Sequence, residues 1–364
     1  MTRVGIMTFL HNDNYGSTLQ AWALQKTLTE LGLDAEHIDY RPDRLEKLRN
    51  LTASGNSPRL IIEGMRKRAV ASSRPGAAAR HASFPAFYQR EMRLSAPCRN
   101  HAALRRQAAA YDVLLAGSDQ IWSPVWLNPA YFLDFAGKEQ PCVAYAASLG
   151  VRELPSRRKA RRIAALIRRF GAVSLREEEG AALLERIGGR TYPVMPDPVC
   201  LIEPETWRAL AERRGDVRPY LLCYLIGDRP DYWPRIQALS EQTGLPVRVI
   251  PVTESAYRSG YALSEGVSPT AWLGELAGAA HVCTDSFHAT VFATLLHRPF
   301  TALCRDREED PENKNSRVDN WLRLTGLTRD ASDVDWQAVD ARLSALRRQG
   351  REWLTEEITR AAAR

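Results

Sequence analysis

Residues 4–39 read VGIMTFLHNDNYGSTLQAWALQKTLTELGLDAEHID, and the order of apolar and polar residues along them decides the fold class. Val4–Leu10 is a short apolar run of strand length, followed by a polar turn at His11–Ser17. Thr18–Leu31 then carries Leu19, Trp22, Ala23, Leu28 and Leu31 at the spacing of one helical face. Gly32 supplies the left-handed stop that ends many helices. Asp34–Asp39 reads as a second strand, closed by Arg41-Pro42. Strand, helix, strand is the crossover unit of a parallel sheet.

The alternation continues outward. Tyr111–Ala116 (YDVLLA), Val143–Ala147 and Ala172–Leu175 are strand candidates. Arg59–Ala71, Leu104–Ala110 and the very basic Ser156–Phe170 read as helices. A second series places strands at Pro219–Ile226, Val247–Ile250 and His281–Thr284. Helices at Trp233–Thr243, Trp272–Ala279 and Phe287–Leu296 surround them, and Asp335–Ala361 is a terminal helical region. The pattern predicts an α/β protein of two Rossmann-like lobes facing a cleft, with ligands at the carboxyl ends of the strands. The lobes are expected at residues 1–170 and 171–330, with a helical segment at 331–364.

A chain of 364 residues exceeds one ordinary core. Its 45% hydrophobic and 26% charged residues are those of a folded globular protein. A net charge of +7 suits anionic small molecules, an anionic membrane surface or nucleic acid. Aromatic and basic residues are not interleaved as in a nucleic-acid module, so no nucleic-acid partner is expected. No apolar run is long enough for a bilayer, and the start lacks the marks of a secretory signal. The six cysteines show neither a CxxC pair nor zinc-like spacing. The expectation is a cytoplasmic protein with reduced thiols and no metal site.

Four segments could carry chemistry. The turn with Asn14, Tyr15 and Gly16 stands where a helix N-terminus welcomes anions, or it is a helix cap and nothing more. Neither GxGxxG nor GxxxxGK[ST] occurs, which removes dinucleotide and P-loop readings. Gly117-Ser118-Asp119 ends a buried strand; Asp119 either orients a hydroxyl or bonds its own turn. Arg176, in SLREEEG, either grips a carboxylate or phosphate or pairs with the neighbouring glutamates. In TDSFHAT, Asp285, Ser286 and His288 lie on a strand-to-helix turn, where a histidine exchanges protons near neutral pH. The basic runs at Arg66–Arg68 and Arg157–Arg169 read as solvated faces, with docking to an anionic membrane as the alternative.

Together these segments resemble the polysaccharide pyruvyl transferase family. The likeness runs in order from Val4 to Leu327 through NYGSTLQAWALQ, YDVLLAGSDQIW, YFLDFAG, VSLREEEG, PVMPDPVCLI, Ser268–Trp272, TDSFHATVFATLLHRPF and NSRVDNWLRLTGL. One departure is Ala289, where relatives commonly carry glycine. The resemblance implies a GT-B-like fold and transfer of the enolpyruvyl unit of phosphoenolpyruvate onto two sugar hydroxyls, giving a cyclic pyruvate ketal and phosphate. It implies His288 as general acid/base, Arg176 as donor-anion clamp and Asp119 or Asp285 as hydroxyl base. Ser286, Ser118 and the Asn14–Gly16 turn would line the site. In the polar loop Asp310–Arg317, Arg317 matches the family's Ser-Arg position as a donor cation beside Lys314. No cofactor is expected, phosphoenolpyruvate being a co-substrate. The sugar acceptor stays open among lipid-linked, polymeric and small glycans, and a nucleotide-sugar glycosyltransferase is the alternative function.

Overall fold

The computed structural model describes residues 1–363 apart from 55–71, 213–214, 216–217 and 307–314. The helix expected over Arg59–Ala71, the basic run Arg66–Arg68 and Lys314 lie outside the described residues. Two compact units form: Met1–Gly64 with Tyr88–Ile202 and Ala345–Arg364, and Met65–Phe87 with Glu203–Ser344.

The first unit opens with β1 (Arg3–Met7), α1 (Tyr15–Glu30), β2 (Asp34–His37) and α2 (Arg44–Ser54). Helix α3 (Ala77–Glu91) enters it at Tyr88. Then come α4 (His101–Ala108), β3 (Val113–Ala116), β4 (Cys142–Ala147), α5 (Arg157–Ile167), β5 (Ala172–Leu175) and α6 (Glu178–Gly188). All five strands pair in parallel, in the order β2-β1-β3-β4-β5. Both faces are covered, which is why Val113–Ala116 (VLLA) reads as continuously apolar. Val113 and Leu115 join Leu24 and Leu28 of α1 on one side. Leu114 and Ala116 join Leu104, Ile163, Ile167 and Leu184 on the other. The arginines of α5 lie outward from buried Ile163 and Ile167 and are mostly exposed, so the run is the solvated face of an amphipathic helix.

The second unit holds α7 (Pro204–Leu210), β6 (Leu221–Tyr224), α8 (Tyr232–Thr243), β7 (Val247–Val249), α9 (Glu254–Tyr257) and β8 (Ala262–Leu263). It continues through α10 (Pro269–Gly278), β9 (His281–Thr284), α11 (Phe287–Leu295), β10 (Phe300–Ala302), α12 (Asn315–Thr325) and β11 (Asp330–Ala331). Helix α13 (Trp336–Ala362) starts here and ends in the first unit. The sheet order is β11-β10-β9-β6-β7-β8, with only β11 antiparallel among these strands. One face packs Ile236 and Tyr232 against Leu221, Cys223 and Val249. The other stacks aromatic edges, Trp207 on Phe292 at 4.8 Å and Tyr224 on Trp272 at 5.4 Å.

The domain limits differ from expectation at three places. Met65–Phe87, expected in the first lobe, belongs to the second unit. β5 bonds to β4, so the first unit runs past residue 170 to Ile202. The final helix is no separate segment, because Leu354 and Ile358 are buried in the first unit's core.

Candidate active site

In the second unit the strand order reverses between β6 and β9, the position where open α/β sheets bind ligands. The turn from β9 into α11 lies there. Ser286 caps α11, its hydroxyl accepting from the Ala289 N–H. The Asp285 carboxylate accepts from the Ile226 N–H at 2.7 Å, the Gly227 N–H at 2.6 Å and the Tyr232 hydroxyl at 2.9 Å. Arg305 adds an ion pair at 3.5 Å and donates to the Asp285 carbonyl at 3.0 Å. A carboxylate so occupied ties β9 to the end of β6, and its lone pairs are already engaged. In this geometry Asp285, expected as a hydroxyl base, holds the turn from β9 into α11.

His288 and Arg317 each lie beside the Phe287 ring. The imidazole lies 5.1 Å from the Phe287 ring, and the Arg317 guanidinium 5.9 Å from the same ring. Both residues are buried. Arg317 stands in the first turn of α12, because Asn315 binds back to Arg305 and Asp306 and starts the helix there. Sequence reasoning thus brought Asp285, Ser286, His288 and Arg317 together. It missed Arg305, Gly227 and Tyr232, whose link to Asp285 spans other strand ends.

Arg176 belongs to the first unit, just after β5, and only 3% of it is exposed. Its Nε donates to Glu177 at 2.9 Å and its Nη1 to Asp197 at 2.7 Å, with Asp119 at 3.8 Å. Burial works against the charge, but the carboxylates of Glu177, Asp197 and Asp119 outweigh it and raise the guanidinium pKa. In this geometry the cation faces three anions of its own unit. The pairing with Glu177 is the alternative the sequence offered; Asp197, 21 residues on, was invisible to it.

Asp119 holds a left-handed backbone, φ +72°, and accepts from the Gln120 N–H at 2.8 Å. Such strain in a non-glycine residue costs about 1–3 kcal/mol and clusters at functional positions. Ser118 is fully buried, its hydroxyl donating to the Ala146 carbonyl. Asn14 caps α1 by accepting from the Ser17 N–H, which leaves Tyr15 and Gly16 buried in the first helical turn. Among the described residues no cluster of His, Cys, Asp and Glu is arranged to hold a metal ion. None of the described helices is long and apolar enough to cross a membrane.

The family model for polysaccharide pyruvyl transferase matches residues 14–306. The chain belongs to the polysaccharide pyruvyl transferase family. A pyruvyl transferase of polysaccharide biosynthesis is the activity that membership indicates. The match takes in the Asn14 cap, the Asp119 turn, Arg176 and the whole Asp285–His288 turn; Arg317 lies beyond it. No curated protein matches the sequence.

Among solved structures, this pyruvyl transferase is similar to UDP-N-acetylglucosamine 2-epimerase from Rickettsia bellii, with TM-score 0.54 and 9% identity over 100% of this chain and 97% of that one. The UDP-GlcNAc 2-epimerase from Neisseria meningitidis gives 0.51 and 12% over 99% and 100%. At these identities the likeness is one of fold, two Rossmann-like lobes of the GT-B type.

Proposed function

We propose that this pyruvyl transferase uses phosphoenolpyruvate as donor and forms a cyclic pyruvate ketal on two hydroxyls of a glycan or glycolipid sugar. The observation that carries the reading is that His288 and Arg317 both lie beside the Phe287 ring, at the β6/β9 switch point of a family member. The donor brings a phosphate and a carboxylate, which call for fixed cations; among the described residues Arg317 and Arg305 lie beside this turn. His288 gives its proton to the donor methylene as the C=C pair moves to that carbon, leaving an oxocarbenium-like centre. One sugar oxygen bonds to this centre. The C–O bond to phosphate then breaks, with the electron pair leaving on phosphate, and the second oxygen closes the ring. Of the two hydroxyl protons, one balances the proton placed on the methyl group and the other leaves with phosphate.

In the first unit, Asp119 is the side chain fit to orient a hydroxyl, and Arg176, 3.8 Å from it, acts through it as a positioning residue. The Asn14 cap and Ser118 hold the backbone around it.

The test is incubation of the purified chain with phosphoenolpyruvate and a panel of glycan acceptors, reading phosphate release and product mass. A product heavier by one ketal-linked pyruvate is expected, and His288→Asn should lower turnover by about 10²–10⁴ while phosphoenolpyruvate still binds. UDP released from a UDP-sugar, with no phosphate from phosphoenolpyruvate, would overturn the reading.

A further inference from the structure

We propose that one face of the first unit, formed by α2, the loop 123–127 and α5, docks on a bilayer surface rich in anionic headgroups. Five large apolar side chains are exposed among the described residues, and three of them belong to this face. Leu45 is 80% exposed, Leu48 59% and Trp126 52%. Exposed apolar residues scattered singly are ordinary, but these three are gathered beside one cationic helix.

On α2, Leu45 lies three residues before Leu48 and four before Arg49, so the three share one flank of the helix. One small cavity, about 110 Å³, is lined by Arg49, by Pro129 and Ala130 of the turn Pro129–Phe132, and by Arg162 of α5. The two helices are therefore neighbours across that turn. Trp126 precedes the turn by three residues, and Lys159 of α5 holds the same loop by donating to the Pro124 carbonyl at 2.6 Å. The acids of the cavity are engaged within the unit. Glu46 is buried and accepts from the Tyr40 hydroxyl at 3.4 Å, and Asp134 lies 3.3 Å from His101.

The charges of α5 are not there for the helix's own sake. Residues 157–169 hold seven basic side chains and no acidic one. Arg157, Arg158, Arg161 and Arg162 are exposed. Arg157, Arg158 and Lys159 crowd the first turn, where the helix dipole disfavours positive charge. Arg157 with Arg161, and Arg158 with Arg162, are like charges one turn apart, which repel. A face that needed only water would intersperse both signs. An external anionic surface removes both penalties at once.

The apolar residues choose the partner. A nucleic acid or an acidic polymer would engage the arginines but leave Leu45, Leu48 and Trp126 in water. A bilayer takes both: anionic headgroups attract the guanidinium groups, and leucine and tryptophan enter the boundary between headgroups and acyl chains. An indole suits that depth, with its ring against apolar chains and its N–H toward water. The first unit thus rests on the membrane surface through this face.

Sedimentation of the full chain with lipid vesicles tests this, using phosphatidylcholine alone and an equal mixture with phosphatidylglycerol. Binding to the mixed vesicles and not to phosphatidylcholine alone is expected, weakening as salt is raised. Arg158→Ala with Arg162→Ala should lower the partition about 25-fold, about fivefold for each charge removed. Leu45→Ser, Leu48→Ser and Trp126→Ala together should weaken binding with its salt dependence unchanged. All five side chains are exposed, so both variants should melt at the wild-type temperature. The proposal is overturned if the wild type stays in solution with the mixed vesicles, binds neutral ones equally well, or is indifferent to both sets of substitutions. Equal retention on duplex DNA, unaffected when Leu45, Leu48 and Trp126 are replaced, also overturns it and leaves a general polyanion-binding face.

Discussion

Lowering the pH from 7 to 4 should destabilise the first unit through His37. This residue lies on β2 and is fully buried, with Nε2–H donating to the Ala21 carbonyl at 3.0 Å. Its Nδ1 has no partner among the described residues. Burial pushes its pKa from 6.5 down to about 4, and the bond to Ala21 opposes this only in part. The unfolded chain therefore binds a proton below pH 6.5 that the folded chain refuses until about 4. Within that window the unfolded state carries more protons, so stability falls as pH falls, with no further loss from this group below it. The gap, at about 1.4 kcal/mol per pH unit, comes to about 3 kcal/mol. Urea unfolding followed by circular dichroism at pH 7, 5.5 and 4 reads it, with His37→Gln as the control that can still donate to Ala21 but cannot titrate. Wild type should lose about 3 kcal/mol more than the variant over this range. Parallel pH dependences for the two proteins would refute the reasoning.

Arg176→Ala leaves Glu177 and Asp197 buried without their cation and should cost about 3–5 kcal/mol. Arg176→Lys keeps the charge but not the fork, so its melting temperature should fall between the two. Thermal melts check both, and an Arg176→Ala protein melting like wild type would refute the pairing's importance. Gly227→Ala would set a Cβ 2.7 Å from the Asp285 carboxylate and 3.0 Å from the Tyr232 hydroxyl. Displacing that carboxylate should move the His288 turn and lower kcat roughly a hundredfold, with a much smaller change in melting. Wild-type kcat in a folded Gly227→Ala protein would show that the turn tolerates the shift.

Local signals were legible in the sequence. β1, β3, β4 and β5 of the first sheet stood out as apolar runs, while β2 (DAEH) was read from its place after α1; polar caps marked the starts of α1, α5 and α11, since Asn14, Ser156 and Ser286 serve the helix next to them. What escaped was long-range. Asp285 could be placed on its turn, but not the Ile226 and Gly227 N–H groups that occupy it from 58–59 residues away. Arg176 looked free to bind an anion because Asp197 approaches only once the chain has turned back after α6. Short edge strands such as β8 and β11, two residues each, are too brief for any periodicity.

The late return of α13 has a bearing on how the molecule is made. Arg351 donates to Glu30, which precedes it by 321 residues, and to the Leu201 carbonyl. Leu354 and Ile358, one and two turns on, complete the core beneath β1, β3 and β4. At about 5–20 residues per second, synthesis of that intervening stretch takes on the order of tens of seconds. During this time the first sheet, though translated earliest, has α1 on this apolar face but lacks the part of its cover that Leu354 and Ile358 supply. The second unit, whose strands all lie between Leu221 and Ala331, has its whole sheet translated sooner. Order of emergence and order of completion are thus reversed, and the nascent N-terminal sheet is the stretch of this chain with most need of a chaperone.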